Sequence, residues 1–247
     1  DGYSDFLINY LRKGVRVLTH QHVKRIEHTA GGASLSMADG SVLAADYVIV
    51  TVPLGVLKRD PADGGIQFEP ELSQSKREAI NVLGMGTENK VVMRWAAEDA
   101  FWPLDPPYLQ CTDQRFRFLN GHAFGKPGVL TAMVCPPFSQ TMETLTDEEI
   151  LRDLLPLLHR AFAPSLPSIP PPLDVRVTRW GIDPFSYGSY SYDAYGWKTH
   201  HRSDLRAAEL PTLPARDHTP ELTKAPAGAP VPSPATTTTP FKMGSEG

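Results

Sequence analysis

"GMGTENKVVMRWAAEDAFW", residues 84 to 102, sets two glycines and a polar step before a run in which Val91, Val92, Met93 and Trp95 head for a core. Apolar density over so few residues, with β-branched and aromatic side chains, predicts a strand from 89 to 95. Lys90 stands at its start. Lysine is among the side chains most rarely buried, and one at a strand edge ordinarily snorkels to water. The local sequence alone therefore favours a solvated lysine, and a functional role has to be supported by the rest of the chain.

Working outward, a helix is expected from about Ser73 to Leu83, with Ile80 and Leu83 on one side, ending at Gly84. On the other flank, strands are expected at 115–119 and 128–134. The clearest helix follows: Thr146 with Glu149 three residues on is a capping box, and Leu151, Leu154, Leu155, Leu158 and Phe162 make one apolar stripe. Pro156 is expected to kink it. A proline-rich connector, "PSLPSIPPPL", leads to a strand at 174–180.

Towards the amino end, Tyr3, Phe6, Leu7, Tyr10 and Leu11 fall at helical spacing and stop at Gly14. The period then changes to two. Strands are expected at 15–19, 22–28, 33–37 and 46–52, divided by Gly31-Gly32 and Asp39-Gly40. The last, "DYVIVTV", is almost wholly apolar, as expected of a strand covered on both faces, and ends at Pro53. The Pro/Gly-rich loop at 60–70 marks a first domain crossing, and the proline connector before 174 a second. From Pro211 on there are eight prolines in 37 residues and a run from Thr236 to Thr239. Such a tail cannot bury enough apolar area to offset its ordering entropy and is expected to be disordered. Its "PVPSP" is a weak polyproline II ligand pattern.

Composition narrows the class. The chain has 247 residues and a formal net charge of -4, too mild to imply nucleic acid or an anionic lipid surface as a direct partner. No apolar run approaches the roughly 18 residues of a spanning helix. Cys111 and Cys135 have no CxxC spacing, so neither a disulfide framework nor a zinc site is indicated and a reducing, intracellular compartment is favoured. His20 with His22, and adjacent His200 and His201, lack a third ligand, so no metal is expected and these are read as surface histidines. Residue 1 is Asp rather than an initiator Met, which makes an internal piece of a longer protein the expectation.

Three stretches together, "DYVIVTVPLGVLK" (46–58), "LGMGTENKVVMRW" with "FW" (83–102) and "VTRWGIDPFSYGSYSY" (177–192), resemble the flavin-dependent amine oxidases, in particular the branch of polyamine oxidases and lysine-specific histone demethylases. "DGYSDFLINYL" looks like that family's "GGY" helix, and "VRVLTHQHVKRIEH" like its strand at the adenine end of FAD. The likeness covers roughly residues 1–195, and its specificity lies in the joint occurrence of the motifs.

The resemblance implies FAD as cofactor and gives Lys90 a role: holding a water against flavin N5, where the amine's carbon gives up hydride. A lysine partly desolvated beside such a ring is suited to hydrogen-bonding a reactive water. Val23 matches a position whose backbone pairs with adenine, though a core valine would read the same. Thr51, Val52 and Pro53 match the strand end against the cofactor, where a plain exit from strand to loop is the alternative. Trp180, Phe185, Ser189 and Tyr190 match positions around flavin and substrate channel; aromatic rings there offer apolar walls and a face for a cationic amine. Core packing is the other explanation, and it suits Trp180 better than tyrosines in a Gly/Ser loop.

The chain also departs from the family. It has no GxGxxG, the turn that receives the FAD pyrophosphate, and no closing "FAGE" segment. "VCPPFSQTME" (134–143) replaces a usual small-residue stretch. The expected architecture is mixed α/β: a partial FAD-binding domain at 1–58 completed by 176–200, a substrate-binding domain at 59–175 with a mixed sheet and flanking helices, and a tail at 211–247. The expected function is that of a fragment of an FAD-dependent amine oxidase. It would cleave a C–N bond of a polyamine or an N-methyl-lysine peptide oxidatively, with release of hydrogen peroxide. Oxidases of carotenoids or porphyrinogens, and an inactive protein-binding scaffold, are the alternatives.

Overall fold

Helix α1 (Tyr3–Phe6), widening into a π turn over Leu7–Leu11, forms where its spacing predicts. It ends before Gly14, whose φ of 78° is the left-handed conformation glycine adopts most readily. None of its side chains is buried. The structure is a computed structural model that describes Tyr3–Glu209. The tail expected at 211–247, with its "PVPSP", lies outside those residues.

Two expected strands are absent among the described residues. Residues 15–19 and 46–52 have no ladder partners, and Val15, Val17, Tyr47 and Ile49 are exposed, the last two at 91% and 87%. A strand is held by its neighbour's hydrogen bonds and by what covers its face. The apolar run at 46–52 has neither here. Instead β1 (Val23–Thr29) and β2 (Gly32–Met37) form the expected hairpin, and β2 continues to an unexpected β3 (Val42–Ala45). Helix α2 (Leu54–Leu57) starts directly after Pro53, and β4 (Gln67–Glu69) runs parallel to β1, completing a four-stranded sheet of order β3-β2-β1-β4.

Helix α3 (Gln74–Val82) gives way to the short β5 (Gly84–Gly86), and then β6 (Asn89–Arg94) enters a five-stranded sheet. Strands β7 (Tyr108–Gln110), β8 (Phe116–Asn120) and β9 (Val129–Val134) follow, then α4 (Phe138–Met142), α5 (Asp147–Phe162) and β10 (Asp174–Val177). The sheet order is β10-β6-β9-β8-β7, antiparallel throughout. Alternation sends Val91, Met93, Phe116, Phe118, Leu130, Ala132 and Val134 to one face, where Ile150, Leu154 and Leu158 of α5 close a core from which water is excluded. Pro156 sits inside α5 without ending it. The connector before β10 is fixed by the Trp95 indole, which donates to the Pro170 carbonyl at 2.8 Å.

The capping box forms as read: Glu149 N donates to Thr146 Oγ1 at 3.2 Å and Thr146 N to Glu149 Oε2 at 2.9 Å. Replacing Thr146 by Ala is expected to cost about 1 kcal/mol, measured as a lower thermal midpoint with unchanged helix content.

Strand β11 (Tyr190–Tyr192) pairs with β5, and the chain closes its described part with α6 (Thr199–Arg206), packed on α3. Buried Lys76 of α3 donates to the carbonyls of Leu205, at 2.9 Å, and Ala207, satisfying the end of α6. His201, expected at the surface, is 3% exposed and accepts from Lys198 N at 3.1 Å. Its polar neighbourhood hid a helix with one face on α3.

Candidate active site

Lys90 does not enter the core that its neighbours occupy. Strand alternation puts Asn89, Val91 and Met93 on the buried face and Lys90, half-buried, on the other with Val92 and Arg94. Register places Met133 beside Lys90 and Arg117 beyond it, so this open face carries Lys90, Met133 and Arg117 in one row. Arg117 Nη2 donates to Cys135 Sγ at 2.9 Å, and Glu88 approaches the same sulfur at 4.0 Å. Among the described residues Lys90 is held by its backbone: its N–H donates to Thr178 Oγ1 at 2.8 Å and its carbonyl accepts from Thr178 N at 2.9 Å.

Behind Lys90, fully buried Asn89 makes four hydrogen bonds. Its Nδ2 donates to Glu143 Oε1 at 2.7 Å and to the Ser139 carbonyl at 3.2 Å, while its Oδ1 accepts from Thr178 Oγ1 and Trp180 N, both at 3.0 Å. Glu143 Oε1 also accepts from Gly181 N at 2.7 Å. The amide thus joins the start of β6 to the segment carrying Trp180. Ser139 and Glu143 both come from the 134–143 stretch.

From Trp180 the chain loops back beside β5. Gly188 N donates to the Trp180 carbonyl at 2.7 Å, and Ser189 clamps the glycine strand: its N–H and hydroxyl donate to the Gly86 carbonyl at 2.8 and 3.1 Å, and its Oγ accepts from Glu88 N at 2.7 Å. The rings of Tyr192 and Tyr190 lie across Gly84 and Gly86; a Cβ at those positions would sit 2.3 and 3.1 Å from them. The two glycines in alternation thus leave room for the two tyrosine rings opposite, tightly at Gly84 and more loosely at Gly86. Trp180, Tyr190 and Phe185 remain 38%, 50% and 62% exposed.

The remaining expected positions gather partly. Pro53 precedes α2, whose Gly55 packs on the backbone of Ser186 and Tyr187, so the "VPLG" turn and the "FSYG" loop touch. Thr51 is exposed and Val52 half-buried. Val23 opens β1 opposite Met37, with a bulge before Arg25. Its neighbour His22 meets the Phe185 ring edge-on at 5.1 Å. Burial, and then the charge of Lys24, lowers the His22 pKa and favours the neutral ring. Tyr187 turns from this group: with φ at 48° it places its ring under the Arg59 guanidinium, 4.2 Å from the centroid. No set of three His, Cys, Asp or Glu among the described residues forms a metal site.

Asn89, Glu143 and Thr178 escaped notice in the sequence. The signal was present: if Val91, Met93 and Trp95 point inward, period two sends Asn89 inward too, and a buried amide requires partners.

The family model described as flavin containing amine oxidoreductase matches residues 2–215. The chain belongs to that family of flavin-containing oxidoreductases. It is 37% identical to polyamine oxidase 2 of Arabidopsis thaliana over 194 residues, covering 77% of this chain and 37% of that protein. It is 36% identical to lysine-specific histone demethylase 1 homolog 2 of Oryza sativa subsp. japonica over 197 residues, 77% of this chain and 25% of that one. A putrescine oxidase double mutant with redesigned cofactor binding shares the fold at a TM-score of 0.57 and 20% identity, over 78% of this chain and 41% of its own. The chain thus spans less than half the length of these relatives.

The residues present fit the flat end of FAD. Exposed Trp180, Phe185 and Tyr190 offer apolar faces of the kind a ring system requires; Trp180 N is bonded to the Asn89 side chain at the start of the Lys90 strand, and Tyr190 lies on β11, which pairs with β5.

Proposed function

We propose that this chain provides the lysine-bearing wall of an FAD-dependent amine oxidase acting on a polyamine or an N-methyl-lysine side chain. The observation that carries this is the Asn89 amide, which bonds both to Trp180 N and, through Thr178, to Lys90 N. One node thereby sets the lysine and the aromatic segment in a common frame. FAD, when bound, accepts hydride from the carbon next to the substrate nitrogen and passes the electrons to oxygen, giving hydrogen peroxide.

The chain's own residues bind and orient. Lys90 holds a water on the open face of the sheet, with Met133 and Val92 limiting its contact with bulk solvent. Trp180, Phe185 and Tyr190 wall the ring system and offer π faces to a cationic amine, an attraction of about 0.5 to 2 kcal/mol. Ser189 keeps Tyr190 on β5. Val23 and the Thr51-Val52-Pro53 exit line the cofactor's path. In this scheme residues 1–58 and 176–200 form the cofactor side and 59–175 the substrate side.

The test is reconstitution with FAD of this chain within a longer polypeptide that supplies a glycine-rich pyrophosphate turn, and a peroxide assay with spermine, N-acetylspermine and a methyl-lysine peptide. Turnover of one of these supports the scheme; silence in a flavin-loaded preparation overturns it. The 247-residue polypeptide by itself is expected to retain well under one flavin per chain, because its sequence holds no glycine-rich pyrophosphate turn. Flavin absorbance after gel filtration measures this, and a stoichiometric yellow protein would contradict it.

A further inference from the structure

The buried face of the five-stranded sheet carries polar groups where an apolar pair of the same volume would serve stability as well or better. Asn89 and Glu143 are 0% and 8% exposed. Burying an amide and a carboxylate is costly unless their bonds are made, and here the Asn89 amide is saturated: two donors spent on Glu143 and Ser139, and its oxygen on Thr178 and Trp180. Saturation gives the amide one orientation. Reversed, its NH2 would face the Trp180 N–H and its oxygen the Glu143 carboxylate.

We propose that Asn89, oriented by Glu143, is a positioning residue for Lys90, a role that rests on reading Lys90 as the residue that faces the flavin. The path is short. Glu143 fixes the amide, the amide fixes the Thr178 hydroxyl, and that hydroxyl receives the Lys90 N–H at 2.8 Å. Because Asn89 and Lys90 are consecutive and point to opposite faces, anchoring one side chain inward fixes the direction of the other outward. The same amide and carboxylate hold the backbone of Trp180 and Gly181 at 3.0 and 2.7 Å. The lysine and the aromatic segment are thus set against each other by side chains that touch neither substrate nor cofactor.

The experiment reads Lys90 directly in the full chain, without cofactor. Lysines are labelled with an amine-reactive ester, and the rate at Lys90 is taken by peptide mass spectrometry relative to exposed Lys126. Asn89→Asp keeps the shape, removes both donors and sets a second carboxylate against Glu143; the relative rate at Lys90 is expected to rise about tenfold as the strand start loosens. Asn89→Asp combined with Glu143→Gln restores a donor between the pair but leaves the Ser139 carbonyl without one, and the rate is expected to fall back part of the way towards the wild type. Thr178→Val, which cuts the path and leaves the Asn89–Glu143 bond in place, is expected to give a smaller rise of the same sign.

An unchanged relative rate at Lys90 in Asn89→Asp and Thr178→Val, alongside lower thermal midpoints, would make the cluster purely structural. If Asn89→Asp does not fold, Thr178→Val decides by the same criterion. Peroxide release that survives Lys90→Met would instead remove the flavin-facing role of Lys90 and leave the labelling result standing.

Discussion

Replacing Lys90 by Met is expected to lower the turnover of a flavin-loaded preparation by about a hundredfold to ten-thousandfold, the range over which a positioned proton-handling group acts. Methionine keeps the length of the lysine stem and its contact with the apolar face that Val92 and Met133 present, so the sheet should be undisturbed. What disappears is the amine. Two other lysines show what an ordinary role looks like here: Lys58 Nζ donates to the Asn81 carbonyl at 3.0 Å and Lys76 caps α6. Burial lowers the pKa of Lys58, yet its amine is occupied by that carbonyl. Lys90 is half-buried on an open face, and among the described residues no carbonyl or carboxylate bonds to its amine. A solvated lysine would leave turnover within about twofold. A loss in kcat with KM little changed supports action at the chemical step; a rise in KM alone would mean that Lys90 merely attracts or repels the charged substrate.

How much of this was legible in the sequence follows from which interactions are local. The capping box at Thr146, the α3 helix and the hairpin at 29–32 are decided within a few residues, and they form as read. The ladders of β6, β8 and β9 were legible because β-branched and aromatic density marks a strand wherever its partners lie. Residues 15–19 and 46–52 misled for the converse reason. Their pattern describes the strand they would make if paired and covered, and no described element does either.

At the site, pattern exposed Lys90 but not what holds it. Asn89, Thr178 and Glu143 are brought together across separations of 89 and 54 residues, and nothing local announces such a meeting. The β5–β11 pair was half-legible: "GMG" and "YSY" share a period of two, and matching them predicts rings lying over glycines. Read separately, one looked like a helix stop and the other like a loop.

Gly55→Ala is expected to cost about 1 to 3 kcal/mol of stability. A Cβ at residue 55 would stand 2.2 Å from the Ser186 carbonyl oxygen and 2.5 Å from that of Tyr187. Both are backbone atoms and cannot rotate aside, so α2 and the 186–187 turn must separate. The turn has little freedom to follow: Tyr187 is already left-handed at φ 48°, with its ring under Arg59 and its hydroxyl donating to the Asp63 carbonyl at 3.3 Å. Strain should therefore pass onward along the loop to Ser189, loosening its bonds to Gly86 and Glu88 and with them the seat of Tyr190. Amide exchange reads this at the Ser189 N–H, which donates to Gly86 at 2.8 Å and should lose protection in the variant. Gly31→Ala is the control: its Cβ would meet only the Thr29 hydroxyl, at an ordinary 3.7 Å, and its effect should stay within about 0.5 kcal/mol. A wild-type midpoint and unchanged Ser189 exchange in Gly55→Ala would show that α2 after Pro53 and the tyrosine loop do not pack together. The candidate site would then lose one of its walls while the Asn89 node remained intact.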